Sequence, residues 1–270
     1  MEKESYDVLI LSDLHLGSEI SKANEAFDLL RSMQFRKLIL LGDIFCDLNF
    51  RRLKRDHWDF LSYIRMLSNP KRGVEVIWVE GNHDHGLVDV MSHLVGIPAY
   101  REYAWESEGM THLAIHGHQF DSFIIRNCLF LNGVVGNLYL FLQKLTSKGR
   151  LVARMLDRLN THWQRLTPKV AQGAIAYAKT RGATFVYCGH THEATAVNEG
   201  GIFYGNTGAW TNGSPSYITI QGQEVKIHDH VGRIIYCYTG EKRREAAASL
   251  VNIPGSPGLP VNAGYEYISG

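Results

Sequence analysis

Five short apolar runs in this chain each end in residues of the kind that hold metal ions. That repetition limits the possible folds more than any other feature. "YDVLILS" (6–12) leads into "SDLHLGS", which offers Asp13 and His15. "KLILLGD" (37–43) ends on Asp43, and "VEVIWVEGN" (74–82) runs into "NHDH", with Asn82, His83 and Asp84. "THLAIHG" (111–117) carries His116 and is followed by His118, within "IHGHQFD". "ATFVYCGH" (183–190) ends in "GHTH", with His190 and His192. Runs this short and apolar read as buried strands. Ligands of open α/β sheets gather at the carboxyl ends of strands, so the five ends can converge on one place. Residues two apart on an extended segment share a face. That spacing predicts that Asp13 and His15 point one way together, as do His190 and His192, and it leaves His116 and His118 equivalent.

Between the strands the spacing turns helical: over 21–33, with Ser21 as a candidate cap; over about 51–67, ended by "SNPKRG"; and over about 169–180. From Gly201 onward short strands follow one another ("IFYGNTG", "SYITIQG", "EVKIHDH", "RIIYCYT"). The pattern predicts an α/β core with a β-rich finish packed as another sheet. A chain of 270 residues with 45% apolar and 20% charged content can bury a sizeable core. The net charge of +1 gives no overall attraction to nucleic acid or membrane. Cys46, Cys128, Cys188 and Cys237 lie far apart, which argues against a zinc ribbon or a disulfide scaffold and suits a reducing compartment. The first ten residues lack a basic stretch followed by a long apolar run, so a cytoplasmic location is expected.

The residue types at the strand ends suit a dinuclear site. Carboxylate, imidazole and amide oxygen are ligands for Mn, Fe or Zn, and no cysteine takes part. A carboxylate such as Asp43 can bridge two cations, and two cations roughly 3.5–4 Å apart can polarise a phosphoryl oxygen and generate a nucleophile from water. Taken singly the motifs are weak, since Asp-x-His can be a polar turn and "GHTH" a surface pair. In order, at five strand ends, they argue strongly against a purely structural origin. His57, His85, His93, His112, His162, His228 and His230 lie outside the motifs and read as ordinary hydrogen-bonded or surface histidines.

The ordered set Asp-x-His, Gly-Asp, Gly-Asn-His-Asp, His-Gly-His and Gly-His-Thr-His resembles the calcineurin-like metallophosphoesterase superfamily. The combination "SDLHLGS … HGHQFD … CGHTH … GNTGAW" looks most like its branch around UDP-2,3-diacylglucosamine diphosphatase and that enzyme's uncharacterised relatives. The resemblance implies a four-layer α/β/β/α sandwich of two mixed sheets with a helical cap insertion. It implies two divalent cations, Mn²⁺ foremost, with Fe, Zn or Co as alternatives. One would take Asp13, His15 and His192, the other Asn82, His116 and His190, with Asp43 bridging. His83 would face the phosphate and assist the leaving oxygen, oriented by Asp84 or another carboxylate. A metal-bridged hydroxide would attack phosphorus in line. With seven ligands so assigned, an eighth would crowd out water and substrate, and His118 is left either supporting a ligand from behind or facing the phosphate. The diphosphatase itself tends to carry Arg in place of His83 and Asp in place of His118. Family members that have a carboxylate partner for the catalytic histidine place it three residues after the bridging Asp. Here the nearest, Asp47, stands four residues on, which argues against that pairing.

These readings divide the chain into a catalytic domain (1–240), a cap inserted at 122–170, and a Pro/Gly-rich tail (241–270) that is irregular or ordered by docking. The stretch 123–142 is long enough to span a bilayer at roughly 20 residues. Arg126 and three asparagines interrupt it, and it lies between two metal motifs, so a buried helix or an apolar cap is the better reading. Residues 144–169 hold seven Lys or Arg against Asp157 alone. That run is either a solvated helix face or a surface for a polyphosphate substrate or for anionic headgroups, the last of which would bring 123–169 to the inner face of a membrane. The expected substrate is a diphosphate or phosphodiester with a sugar-nucleotide or lipid part, with His118 and Arg126 as candidate substrate contacts and no specific nucleic-acid partner. A phosphomonoesterase or protein phosphatase on the same core is the first alternative. A non-catalytic scaffold on this fold is the second, though scaffolds of that kind usually lose ligands and all seven positions are filled here.

Overall fold

Alternate residues of each early strand go to opposite sides, and that alternation sets the architecture of the computed structural model. In β1 (Ser5–Leu11), Leu9 and Leu11 join one apolar cluster while Val8 and Ile10 join another. The same split holds in β2 (Gln34–Leu41), with Leu38 and Leu40 on one side and Ile39 and Leu41 on the other. It holds again in β3 (Glu75–Val79), where Val76 and Trp78 oppose Ile77 and Val79. Strands covered on both faces read as continuous apolar runs, which is why the sequence shows no polar alternation there. The structure describes residues 4–86, 96–121, 167–211, 213, 215–239 and the backbone of 266–267.

The first cluster packs against α1 (Ala23–Ser32) and α2 (Arg55–Leu67) through Ala26, Leu29, Leu30, Phe60, Ile64 and Leu67. The second lies between two sheets. A third cluster joins the outer face of the second sheet to α3 (Thr167–Thr180) through Ala171, Ala174, Ile175 and Ala178. Three apolar layers between four layers of structure give the α/β/β/α sandwich, and each buried Leu, Ile or Phe side chain contributes roughly 1.5–3 kcal/mol.

The remaining strands are β4 (Ala99–Tyr100), β5 (Glu102–Ser107), β6 (Met110–Ile115), β7 (Phe185–Cys188), β8 (Ala194–Glu199), β9 (Ile202–Thr207), β10 (Ser216–Gln221), β11 (Glu224–Asp229), β12 (Ile234–Tyr238) and β13 (Glu266–Tyr267). The first sheet runs β13-β12-β11-β10-β1-β2-β3-β4 and the second β5-β6-β7-β9-β8. Both are mixed. β1–β2–β3–β4 and β6–β7–β9 are parallel, and the outer pairs are antiparallel.

Three expectations need correction. The β-rich finish does not form a sheet of its own: β9 enters the second sheet, while β10, β11 and β12 extend the first beside β1. Ser21 does not cap α1. Its Oγ donates to the Leu14 carbonyl at 2.7 Å, and Lys22 stands at the cap position, its side chain making no capping hydrogen bond. The second helix starts at Arg55 rather than near 51, because a 3-10 turn over Phe50–Arg52 comes first. His57 is a hydrogen-bonded histidine, as its place outside the motifs suggested: it is buried, and its Nδ1 accepts the N–H groups of Lys54 (3.2 Å) and Gly17 (3.1 Å). It thus ties the start of α2 to the loop after β1. From the tail, Glu266 and Tyr267 pair with Cys237 and Tyr236 at the edge of the first sheet. The expected cap, with Arg126 and the 144–169 basic run, lies almost wholly outside the described residues. Among those described, no helix is long and apolar enough to cross a membrane.

Candidate metal centre

Parallel strands present their carboxyl ends along one edge, and the loops leaving β1, β2, β3, β6 and β7 meet there. Hydrogen bonds lace them together: Asp13 N to Gly42 O (3.0 Å), His15 N to Asp43 O (3.0 Å), and Gly189 N to His116 O (3.0 Å). Gly81 and Gly189 sit where a Cβ would enter the Asp43 and Asp13 carboxylates, so the backbone can pass this closely only as glycine.

The pairs Asp13/His15 and His190/His192 do reach the site, but not by the extended geometry that two-residue spacing suggests. Asp13 (φ 53°), His15 (φ 48°), Asp43 (φ 52°), His190 (φ 67°) and His192 (φ 57°) all adopt the left-handed backbone conformation. Among the described residues only one other non-glycine, Glu108 in a hairpin turn, does so. Each such residue costs on the order of 1–3 kcal/mol, and strain of this kind concentrates where function requires it. The turn also separates the second pair: His192 joins Asp13 and His15, whereas His190 joins Asp43 and His116.

Both buried aspartates are sided. Asp13 Oδ2 accepts from His190 N (3.0 Å) and from the Ser12 hydroxyl, leaving Oδ1 facing His192 Nε2 (3.2 Å) and His15 Nε2 (3.8 Å). Asp43 Oδ1 accepts from His83 N (2.8 Å), leaving Oδ2 facing His116 Nε2 (3.3 Å) and His83 Nε2 (3.9 Å). His116 Nδ1 lies 2.9 Å from the Leu41 carbonyl and His83 Nδ1 2.9 Å from that of Cys46. A carbonyl only accepts, so both rings carry their proton on Nδ1 and turn Nε2 toward the cluster.

Three groups of ligand atoms lie within 4.8 Å of one another: Asp13–His15–His192, His15–Asp43–His83 and Asp43–His116–His190. Divalent cations fit this arrangement on three counts. Asp13 Oδ1, Asn82 Oδ1 and His116 Nε2 are buried with no hydrogen-bond partner. The Nε2 atoms of His15 and His192 face each other at 3.1 Å. The donors are carboxylate and imidazole, with the one amide oxygen of Asn82. Without a cation the charges compensate one another. Burial opposes ionisation of Asp43, but His116 and His83 outweigh it and hold the carboxyl well below its ordinary range. Burial likewise opposes a charged His116, but Asp43 and Asp13 outweigh it and raise that ring to about 10. Burial and the neighbouring His83 push His15 down to about 3.

His118 belongs to none of the three groups. Its Nδ1 is buried without a hydrogen-bond partner, and its ring centre lies 5.6 Å from that of His116. Burial and His116 push it down to about 3. Asp84 does not orient His83, contrary to expectation. Its Oδ1 accepts from Gly81 N (2.6 Å) and its Oδ2 from Ile44 N (2.9 Å), clamping the loops after β2 and β3 together. Burial and nearby Asp43 raise its carboxyl to about 6. The Cys46 carbonyl holds His83 instead, and Asp47 pairs with Arg52.

Sequence reasoning missed two supports of this centre. Asn206 donates to the Gly189 carbonyl at 2.6 Å and shapes the loop bearing His190; "GNTG" quotes that residue without revealing its job. Asp121 is fully buried, with Oδ2 3.2 Å from His190 Nε2. It closes the stretch "IHGHQFD", where the two histidines drew attention and the carboxylate did not.

Residues 7–224 match the family profile described as the calcineurin-like phosphoesterase superfamily domain. Among solved structures the chain is similar to YfcE, a phosphoesterase from E. coli (18% identity, 85% of this chain and 97% of that one, TM-score 0.48). It is also similar to an archaeal phosphodiesterase (13% identity, 82% and 98%, TM-score 0.45) and to Vps29 from Cryptosporidium parvum (16% identity, 87% and 92%, TM-score 0.46). No curated protein matches the chain significantly.

Proposed function

The chain belongs to the calcineurin-like phosphoesterase superfamily and is a phosphoesterase of that fold; from that premise we propose a dinuclear-metal enzyme that hydrolyses a diphosphate or phosphodiester. The observation that carries the reading is the buried run of donor groups sharing His15 and Asp43. Asp13, His15 and His192 would hold one divalent cation, His116 and His190 with Asn82 the other, and the Asp43 carboxylate would serve both. Bound there, such cations would polarise a phosphoryl oxygen, activate a water and neutralise developing charge. Mn²⁺ is the first candidate, with Fe, Zn and Co behind it.

The protein's own groups do the rest. His83 keeps its Nδ1 proton on the Cys46 carbonyl, so Nε2 is the atom that gains and gives up a proton. Its side chain is one-third exposed, beside the fully buried ligands, where a leaving oxygen can be reached. His118, beside His116, stands where a phosphate oxygen would be met, and Arg126 is the proposed cation for the rest of the substrate. The left-handed turns hold the donors in place before any ligand arrives, which lowers the cost of organising the site.

The resemblance of "HGHQFD" and "GNTGAW" to the diacylglucosamine diphosphatase branch supports a sugar-nucleotide or lipid part in the substrate. Peripheral contact with the inner face of a membrane through 123–169 goes with it, as does a cytoplasmic location. The test compares rates on p-nitrophenyl phosphate and its bis ester with Mn²⁺, Zn²⁺, Fe²⁺ and Co²⁺, then runs nucleotide-sugar diphosphates, cyclic nucleotides and lipid-linked phosphates. A strong preference for the monoester would overturn the substrate class. Absence of bound metal, together with no turnover after Mn²⁺ is added, would point to a scaffold.

A further inference from the structure

We propose that Asp121 orients His190 for metal binding, its carboxylate fixing the ring and its tautomer from the side away from the cation. The proposal rests on the dinuclear reading above. Asp121 has no exposed surface, and its Oδ2 lies 3.2 Å from His190 Nε2. An ionised carboxylate only accepts hydrogen bonds, so the proton between them sits on Nε2. A neutral imidazole protonated at Nε2 has its lone pair on Nδ1, and Nδ1 is then the atom His190 offers to a cation.

Asp121 itself belongs to none of the groups of mutually close ligand atoms among the described residues, although His190 does. A carboxylate that touches a ligand ring yet stays out of the ligand cluster acts through the ring. It sets the ring's rotation and makes Nδ1 more basic. The other end of His190 is pinned too, because its backbone N–H donates to Asp13 Oδ2 at 3.0 Å.

The position of Asp121 is built into the packing. It follows the 3-10 turn His118–Phe120, with its own N–H donating to the His118 carbonyl at 3.2 Å. That turn lies against α3 at Gly173, where an added Cβ would come within 2.8 Å of the Phe120 side chain. The Phe120 ring also lies 5.9 Å from that of Tyr177, on the same helix. At Gly117 an added Cβ would meet Val170 of α3 and Cys188 of β7 at 3.3 Å. The turn is therefore wedged between helix and sheet, which fixes the backbone from which the carboxylate reaches the ring.

The experiment titrates Co²⁺ into metal-free wild type, Asp121→Asn and Asp121→Ala, following bound metal by equilibrium dialysis and the visible Co²⁺ spectrum. Circular dichroism of each metal-free protein checks that it folds, and the nearly isosteric Asn variant carries the test if Ala does not. Wild type should take up two ions. Asp121→Asn should weaken one of the two sites by about 10–100-fold and alter that site's spectrum, while still filling it at high Co²⁺. Asp121→Ala should weaken the same site further. Wild-type affinities and spectra in both variants would overturn the proposal. So would saturation of both variants at one ion per chain however much Co²⁺ is added, which would make Asp121 a ligand itself. If wild type takes up no metal, the dinuclear reading falls and the proposal with it; wild-type uptake with unchanged variants removes only the role of Asp121.

Discussion

His116 and His112 lie four residues apart around the end of β6, both are fully buried, and they have opposite surroundings. His112 is stacked between rings: Phe185 at 4.6 Å, Trp105 at 5.0 Å and Tyr187 at 5.9 Å, all within 15° of parallel. Its Nδ1 meets the Tyr187 hydroxyl at 2.9 Å, and no carboxylate is among these partners. His116 faces Asp43 and has other histidines beside it. Burial opposes charge on both rings. At His112 nothing resists, and burial with nearby Lys37 pushes it down to about 4. At His116 the carboxylates win, and it rises to about 10. Burial alone therefore does not mark a metal ligand. A buried histidine whose free nitrogen meets a carboxylate at a strand end is a candidate for one.

Substitutions can break or sharpen that contrast. The largest effect is expected from His116→Ala, which should lose about one metal of two and slow hydrolysis by about a thousandfold or more, the loss of several kcal/mol of charge stabilisation. Metal analysis beside steady-state rates checks it. If both metals stay and the rate holds, the contrast fails at its stronger end.

Next comes the acid limb of folding stability. With a folded value of about 4 against 6.5 when unfolded, His112 takes a proton more readily in the unfolded chain. Its contribution is therefore complete above pH 6.5 and is lost as pH falls toward 4. His112→Phe should keep both metals and the catalytic rate and flatten that limb, by on the order of 3 kcal/mol. The variant leaves the Tyr187 hydroxyl without this partner, costing about 1–3 kcal/mol at neutral pH. Denaturant melts of both proteins from pH 4 to 8 would show it. Parallel curves would mean His112 does not titrate as its surroundings dictate.

The smallest effect is expected from His118→Ala. It should keep both metals and shift kcat/KM on the order of tenfold, or about 1.4 kcal/mol. Loss of a metal would move His118 into the ligand set and undo the division within "HGH".

Much of this was legible in the sequence because the physics was local. Apolar runs long enough for a strand, each closed by donors, are patterns within ten residues, and their order along the chain carries the family resemblance. What lies across the fold was not. Nothing near His83 says that the Cys46 carbonyl will hold it, since that contact depends on how the loops after β2 and β3 pack. Ser21 looked like a helix cap by position and became a brace for the Leu14 carbonyl, because tertiary packing moved the helix start past it.

The amino-acid order by itself determined which side chains could serve as ligands and that they would collect at strand ends. Side-chain chemistry and strand-end placement are properties of short segments. Only the tertiary structure decided how those ligands divide. Left-handed turns at Asp13, His15, Asp43, His190 and His192 aim the donors, keeping Asp13 with His15 but sending His190 and His192 to different clusters. Such turns hold only where surrounding loops overdetermine them, and no short stretch of sequence contains those loops.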